Sequence, residues 1–146
     1  MLANTRRFPF ADPRPGSIKL PYVPMILTYQ GRSVSISGLL DTGATVNVLP
    51  YDLGIELGAV WEQQPAPLRL TGNLGGYEAR NLIVSATVEP FAPVKLVFAW
   101  THHRHVPVIL GQMNFFLEFD VCFFGSQSVF DIAPKQKRDY KEKGFA

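Results

Sequence analysis

Punctuation constrains this chain more than any other feature: short apolar runs of strand character are cut at close intervals by glycines, prolines and polar turns. Ile26, Leu27 and Tyr29 lead into a turn at Gln30-Gly31-Arg32, and Val34, Ile36, Leu39 and Leu40 follow with polar residues between them, which predicts a β-hairpin. Strand character returns at residues 68–70, 82–88, 95–100 and 106–110, and residues 123–132 read as a closing hairpin that turns at Gly125-Ser126. Residues 50–58 read as a short helix, because proline suits a first helical position and Gly58 a C-terminal stop, and residues 111–118 read as another. Many short strands with one or two short helices predict an all-β domain around a closed, barrel-like core.

The 146 residues are enough for one domain, and 47% apolar against 18% charged residues is a globular balance rather than a disordered one. Pro9, Pro13, Pro15, Pro21 and Pro24 deny the first segment a continuous ladder, so residues 1–24 are expected to be an extended arm. Residues 25–133 are then the folded domain, and residues 134–146 a lysine-rich tail that keeps the chain soluble. A net charge of +2 calls for no nucleic-acid partner, and the glycines at 72–76 have no following Lys-Ser or Lys-Thr to make a phosphate cradle. No apolar run approaches the roughly 18 residues that span a bilayer, so no membrane insertion is expected. A lone Cys122 and an N-terminal segment without a signal-peptide core point to a reducing, cytoplasmic setting. Cys122 lies between Val121 and Phe123, where a buried, inert thiol is expected.

Asp41-Thr42-Gly43 carries the chemistry. Alone, the triplet is a weak signal, but here it follows Leu39-Leu40 at the end of a predicted strand, which sets a carboxylate on a rigid turn. Gly43 is expected to permit a tight turn that a side chain would resist.

Three ordered segments together resemble the retropepsin-like aspartic proteases, the family of the retroviral proteases and their cellular relatives. Leu39-Leu40-Asp41-Thr42-Gly43-Ala44 is similar to the catalytic loop, Gly72-Asn73-Leu74-Gly75-Gly76-Tyr77 to the glycine-rich flap, and Val108-Ile109-Leu110-Gly111 to the second apolar-apolar-glycine element. The resemblance implies a closed β-barrel of the retropepsin (acid protease) type, assembled as a two-fold homodimer that hydrolyses polypeptides without metal or organic cofactor. Asp41, Thr42 and Gly43 would be the catalytic residues. Ala44, Thr45, the flap residues Gly72, Asn73, Leu74, Gly75, Gly76 and Tyr77, and Val108 and Ile109 would touch substrate. One carboxylate per chain accounts for the dimer, because water activation here needs two carboxylates close enough to share a proton, and a two-fold axis places residue 41 opposite residue 41. A silent relative that only dimerises or binds peptides is the alternative, since a fold does not guarantee chemistry.

The retroviral pattern has Asp after the catalytic-loop alanine and Arg after the second glycine, where this chain has Thr45 and Gln112. Losing both charges together leaves no unpaired one, but it changes how the loop and the dimer are held. His102, His103 and His105 lack a nearby cysteine, and neighbours on an extended segment point apart, so no metal site is assigned to them. Phe115, Phe116, Phe119, Phe123 and Phe124 are assigned to core or dimer interface, and Trp61 and Trp100 to packing.

Overall fold

The computed structural model of the chain describes residues 4–65, 78–136 and the backbone of 67–69. In chain order the strands are β1 (Arg6–Pro9), β2 (Tyr22–Tyr29), β3 (Arg32–Leu40) and β4 (Asn47–Pro50), followed by helix α1 (Tyr51–Glu56). Then come β5 (Pro67–Arg69), β6 (Glu78–Thr87), β7 (Val94–Thr101) and β8 (Val108–Leu110), helix α2 (Phe115–Glu118), β9 (Phe119–Phe124) and β10 (Val129–Pro134). The helix expected at 111–118 is shorter, because the Met113 carbonyl that its first turn would use is bonded to Asn47, as described below. None of the described helices is long and apolar enough to cross a membrane.

Six strands close a barrel in the order β2-β3-β8-β4-β7-β6, sealed where Ile26, Leu27 and Thr28 of β2 pair with Thr87, Ala86 and Ser85 of β6. The long strand β6 gives one edge to β7 and divides the other, with β5 at its start and β2 at its end. The predicted β2–β3 hairpin is present. Gln30 (φ 46°) and Gly31 (φ 84°) occupy the positive-φ region that a two-residue hairpin turn needs. Val23, Met25 and Leu27 point inward from β2 and are buried, as period-two alternation requires. Leu49, Leu82, Leu96, Phe98, Trp100 and Leu110 complete the barrel interior. Pro50 caps α1, Gly58 (φ 84°) follows its end in the left-handed region, and a side chain on Gly54 would overlap the Trp100 ring.

A second sheet, β1-β10-β9, packs on the same core through Phe8, Phe119, Phe130 and Ile132. The proline-rich segment lies along the domain and pairs with it. β1 pairs with β10, Ala11 bridges Leu20, and the Pro21 carbonyl accepts a bond from Leu40 N–H (3.0 Å). Phe8 stacks on Phe130 with ring centres 5.3 Å apart, while Arg7 on the opposite face pairs with Asp131 (2.7 Å). Cys122 is exposed, contrary to expectation. It sits on the outer face of β9, in register with Asp131, at the margin of a sheet. Phe115 and Phe119 are fully buried, whereas Phe123 and Phe124 stay exposed.

Candidate active site

Asp41 leaves the end of β3 where that strand runs parallel to β8, with Leu40 opposite Leu110. Its N–H donates to the Leu110 carbonyl (3.0 Å), so the start of the loop is a continuation of the ladder. The next turn closes on the aspartate itself: Ala44 N–H donates to the Asp41 carbonyl (3.1 Å) and Gly43 N–H to Asp41 Oδ1 (3.0 Å). A short acidic side chain bonding the backbone two residues on is a self-contained device for aiming a carboxylate. Asp41 is half-buried, while Thr42, Gly43 and Thr45 are exposed.

Gly43 does not fill the role expected of it. Its backbone is outside the left-handed region, and an added Cβ would meet only Asp41 Oδ1 at an ordinary 3.4 Å. The turn itself tolerates a side chain; what the glycine provides is an uncovered surface beside the carboxylate. The steric demand falls on Gly111, where a Cβ would stand 2.5 Å from the Val46 carbonyl oxygen and 2.8 Å from that of Ala44.

That close approach is sewn together. Gln112 N–H donates to the Ala44 carbonyl (2.9 Å), Met113 N–H to that of Thr45 (2.9 Å), and Asn47 N–H to that of Met113 (2.9 Å). Of these groups the Met113 carbonyl is one that a helix starting at Gly111 would offer to its own next turn; it is taken by Asn47, and α2 begins only at Phe115. The Gln112 side chain donates from Nε2 to the Thr42 carbonyl (2.9 Å), so a neutral amide grips the loop.

Asn47, which the sequence reading did not single out, is the buried centre of the arrangement. Its Oδ1 accepts from Gly111 N–H (2.8 Å) and, at greater length, Phe115 N–H (3.4 Å). Its Nδ2 donates to the Val97 carbonyl (3.0 Å) and to Asn114 Oδ1 (3.1 Å). Asn114 also accepts from Val97 N–H (3.0 Å) and donates to the Lys95 carbonyl (3.0 Å). The one available signal was an asparagine inside the otherwise apolar run Val46-Asn47-Val48-Leu49, where a buried polar group must find partners.

The remaining expected site residues are placed unequally. Val108 faces the core and is buried, whereas its neighbour Ile109 is half-exposed and pairs with Leu39 and Val48. Gly72, Asn73, Leu74, Gly75, Gly76 and Tyr77 lie outside the described residues. His102 stacks on Trp61 (3.9 Å between ring centres), and His103 Nδ1 accepts from His105 N–H (3.2 Å). Among the described residues no group of His, Cys, Asp and Glu is arranged to hold a metal ion.

By sequence, no family model and no curated protein matches the chain. By structure, it is similar to a retropepsin-like aspartic protease from Rickettsia conorii, with a TM-score of 0.58 and 15% identity over 88% of this chain and 90% of the other. A second similar structure is EIAV protease in complex with the inhibitor HBY-793, with 22% identity over 64% of this chain and 83% of that one, at a TM-score of 0.45. The fold is therefore the retropepsin-like one, a closed six-stranded barrel with two short helices.

Proposed function

We propose that the chain is an aspartic endopeptidase whose active site forms when two copies bring their Asp41 carboxylates together. The observation that carries this reading is the contrast within one loop: the backbone behind Asp41 is bonded to Leu110, Gln112 and Met113, while Thr42 and Gly43 at its tip are exposed. That is the form of half a site. Two carboxylates a few ångströms apart cannot both ionise easily and share a proton, so one accepts a proton from the attacking water while the other hydrogen-bonds the peptide carbonyl.

In this reading Thr42 locks the paired loops, and the bare surface at Gly43 admits substrate backbone. Ala44, Thr45 and Ile109 border the cleft. Substrate lies extended, bonded like an added strand. The test compares wild type with Asp41→Asn on a peptide library from acidic to neutral pH. The expected outcome is a rate loss of about a thousandfold. Equal cleavage by both proteins overturns the reading, and no cleavage by wild type favours a silent peptide-binding module of the same fold.

A further inference from the structure

On the outside of the barrel a cavity of about 510 Å³ stands open between α2 and the strands β6 and β7, a volume within the range of small-molecule sites. Val46, Met113, Asn114 and Leu117 line one side of it, and Asn81, Val97 and Ala99 the other. The strand register makes this surface. Leu96, Phe98 and Trp100 turn into the barrel, so Val97 and Ala99 turn out, level with Ile83 and Asn81 of β6. Ala99 packs with Ala79 and Val46 in a small cluster apart from the main core, which gives the cavity an apolar floor. Around it Ile83, Met113 and Leu117 are each more than half exposed. Large apolar side chains gathered in one exposed place mark a binding surface.

The polar groups nearby restrict what can bind. One margin of β7 is taken by β6, and at the start of the other an asparagine stands in for a strand: Asn114 Oδ1 accepts from Val97 N–H and its Nδ2 donates to the Lys95 carbonyl, both at 3.0 Å. An extended peptide laid here finds no ladder for its own N–H and C=O groups, whereas a hydrocarbon chain needs none. Two polar side chains are left over. The Asn81 amide has no hydrogen-bond partner among the described residues, and the Lys95 ammonium has no carboxylate partner among them. Lys95 lies two residues before Val97 on the same outer face, so its charge stands at one end of the cavity. Asn81, level with Ala99, stands at the other, about 13 Å away at the rise of a strand. Glu118, the acid that follows Leu117, is already paired with Lys135 (2.7 Å).

We propose that this cavity binds an anionic amphiphile, a straight-chain carboxylate whose head group meets Lys95 and whose chain runs past Val97 and Leu117 toward Asn81. The apolar walls take the methylenes, and the unpaired ammonium takes the charge. Asn81 sets the length, because a chain end pressed against its amide strands a donor and an acceptor. The binding does not rest on the paired-carboxylate reading, and a chain that cleaves nothing holds the same ligand. The wall it leans on is nevertheless shared: Met113 N–H holds the Thr45 carbonyl, and Asn114 is bonded to Asn47. An occupied cavity therefore steadies the backbone that aims Asp41.

Octanoate, decanoate, dodecanoate and tetradecanoate, each titrated into the full chain by calorimetry below its micellar concentration, provide the test. Binding is expected to tighten about fourfold for each added methylene and to level off once the chain reaches Asn81. Lys95→Gln is expected to weaken decanoate about fivefold and to leave decanol unchanged. Leu117→Asn alters an exposed side chain and is expected to weaken both about tenfold. Asn81→Ala is expected to let the longest chain gain again. Decanoate that does not bind, binding that Leu117→Asn leaves unaltered, or decylammonium held as tightly as decanoate overturns the inference. So does a cavity filled by a second copy, seen in sedimentation as self-association that Leu117→Asn abolishes, or by peptide, seen as a raised KM for cleavage in that variant while decanoate does not compete. Peptide cleavage by a wild type that binds no decanoate leaves the proposed activity standing, and decanoate binding without cleavage does the reverse.

Discussion

At the start of α2 lies the knot of backbone and amide groups around Asp41, and at its end lies β9, whose outer edge no strand takes among the described residues. The knot holds buried polar groups whose partners are all within the chain. Asn47 is fully buried and uses both its acceptor and its donor, and Gln112 reaches the Thr42 carbonyl without bringing a charge. The β9 edge has the reverse character, with Phe123 and Phe124 in view and the N–H and C=O groups of Val121 and Phe123 directed away from β10. The difference teaches where each kind of specificity resides. A reactive group is aimed by interactions complete within one chain, whereas an edge strand keeps donors and acceptors that no strand takes among the described residues.

If the knot is as integral as its bonds suggest, substitutions there act on the fold first. Asn47→Ala strands the Gly111 N–H and the Val97 carbonyl in a buried setting, and is expected to cost about 4 kcal/mol in urea unfolding, since each orphaned group costs ~1–3 kcal/mol. A loss below 1 kcal/mol would mean water replaces the amide, and the contrast with β9 would dissolve. Gly111→Ala, forced against two carbonyl oxygens, is expected to cost about 3 kcal/mol. Its loss should appear as a lowered denaturation midpoint with dimerisation unaltered in whatever fraction stays folded. Gln112→Ala removes one exposed neutral bond and should cost about 1 kcal/mol. If the loop is gripped as described, the same variant lowers peptide cleavage more than it lowers stability.

The smallest effect is expected in the terminal sheet. The hydrogen bond from Arg7 holds the Asp131 carboxyl below the usual aspartate range, aided by the guanidinium's charge and opposed by partial desolvation. A carboxylate with a lowered folded value stabilises the fold above its unfolded value and loses that contribution as pH falls through the folded one. Asp131→Asn should therefore be slightly less stable than wild type near neutrality, and the gap should close as the pH drops below about 4. A gap that widens in acid would show that the pair does not govern this titration.

Much of the architecture was legible because its signals are local. The β2–β3 hairpin is announced by alternation on both sides of Gln30-Gly31, and α1 by Pro50 and Gly58 eight residues apart. What escaped was decided by distant parts of the chain. Asn47 matters because Gly111 and Val97 come to it, and nothing near residue 47 announces them. The steric demand expected at Gly43 falls on Gly111, because the crowding is between a loop and a strand far apart in sequence. Cys122 has the apolar neighbours of a core residue, yet its position on the outer face of a marginal strand leaves it exposed. The prolines of the first segment did not break pairing wherever they fall: Pro9 ends β1 in register with Val129, and Pro24 lies inside β2 opposite Ser37.

The pairing of Arg6 with Ile132 also has a kinetic side. It closes a loop that takes in nearly the whole chain, and the entropic cost of closure grows with loop length. An isolated two-stranded hairpin is marginal in water, so β9 and β10 gain their lasting framework only when β1 returns to flank them. The barrel must first draw the two ends together. The terminal clasp is therefore expected to complete late in folding, after the barrel has formed.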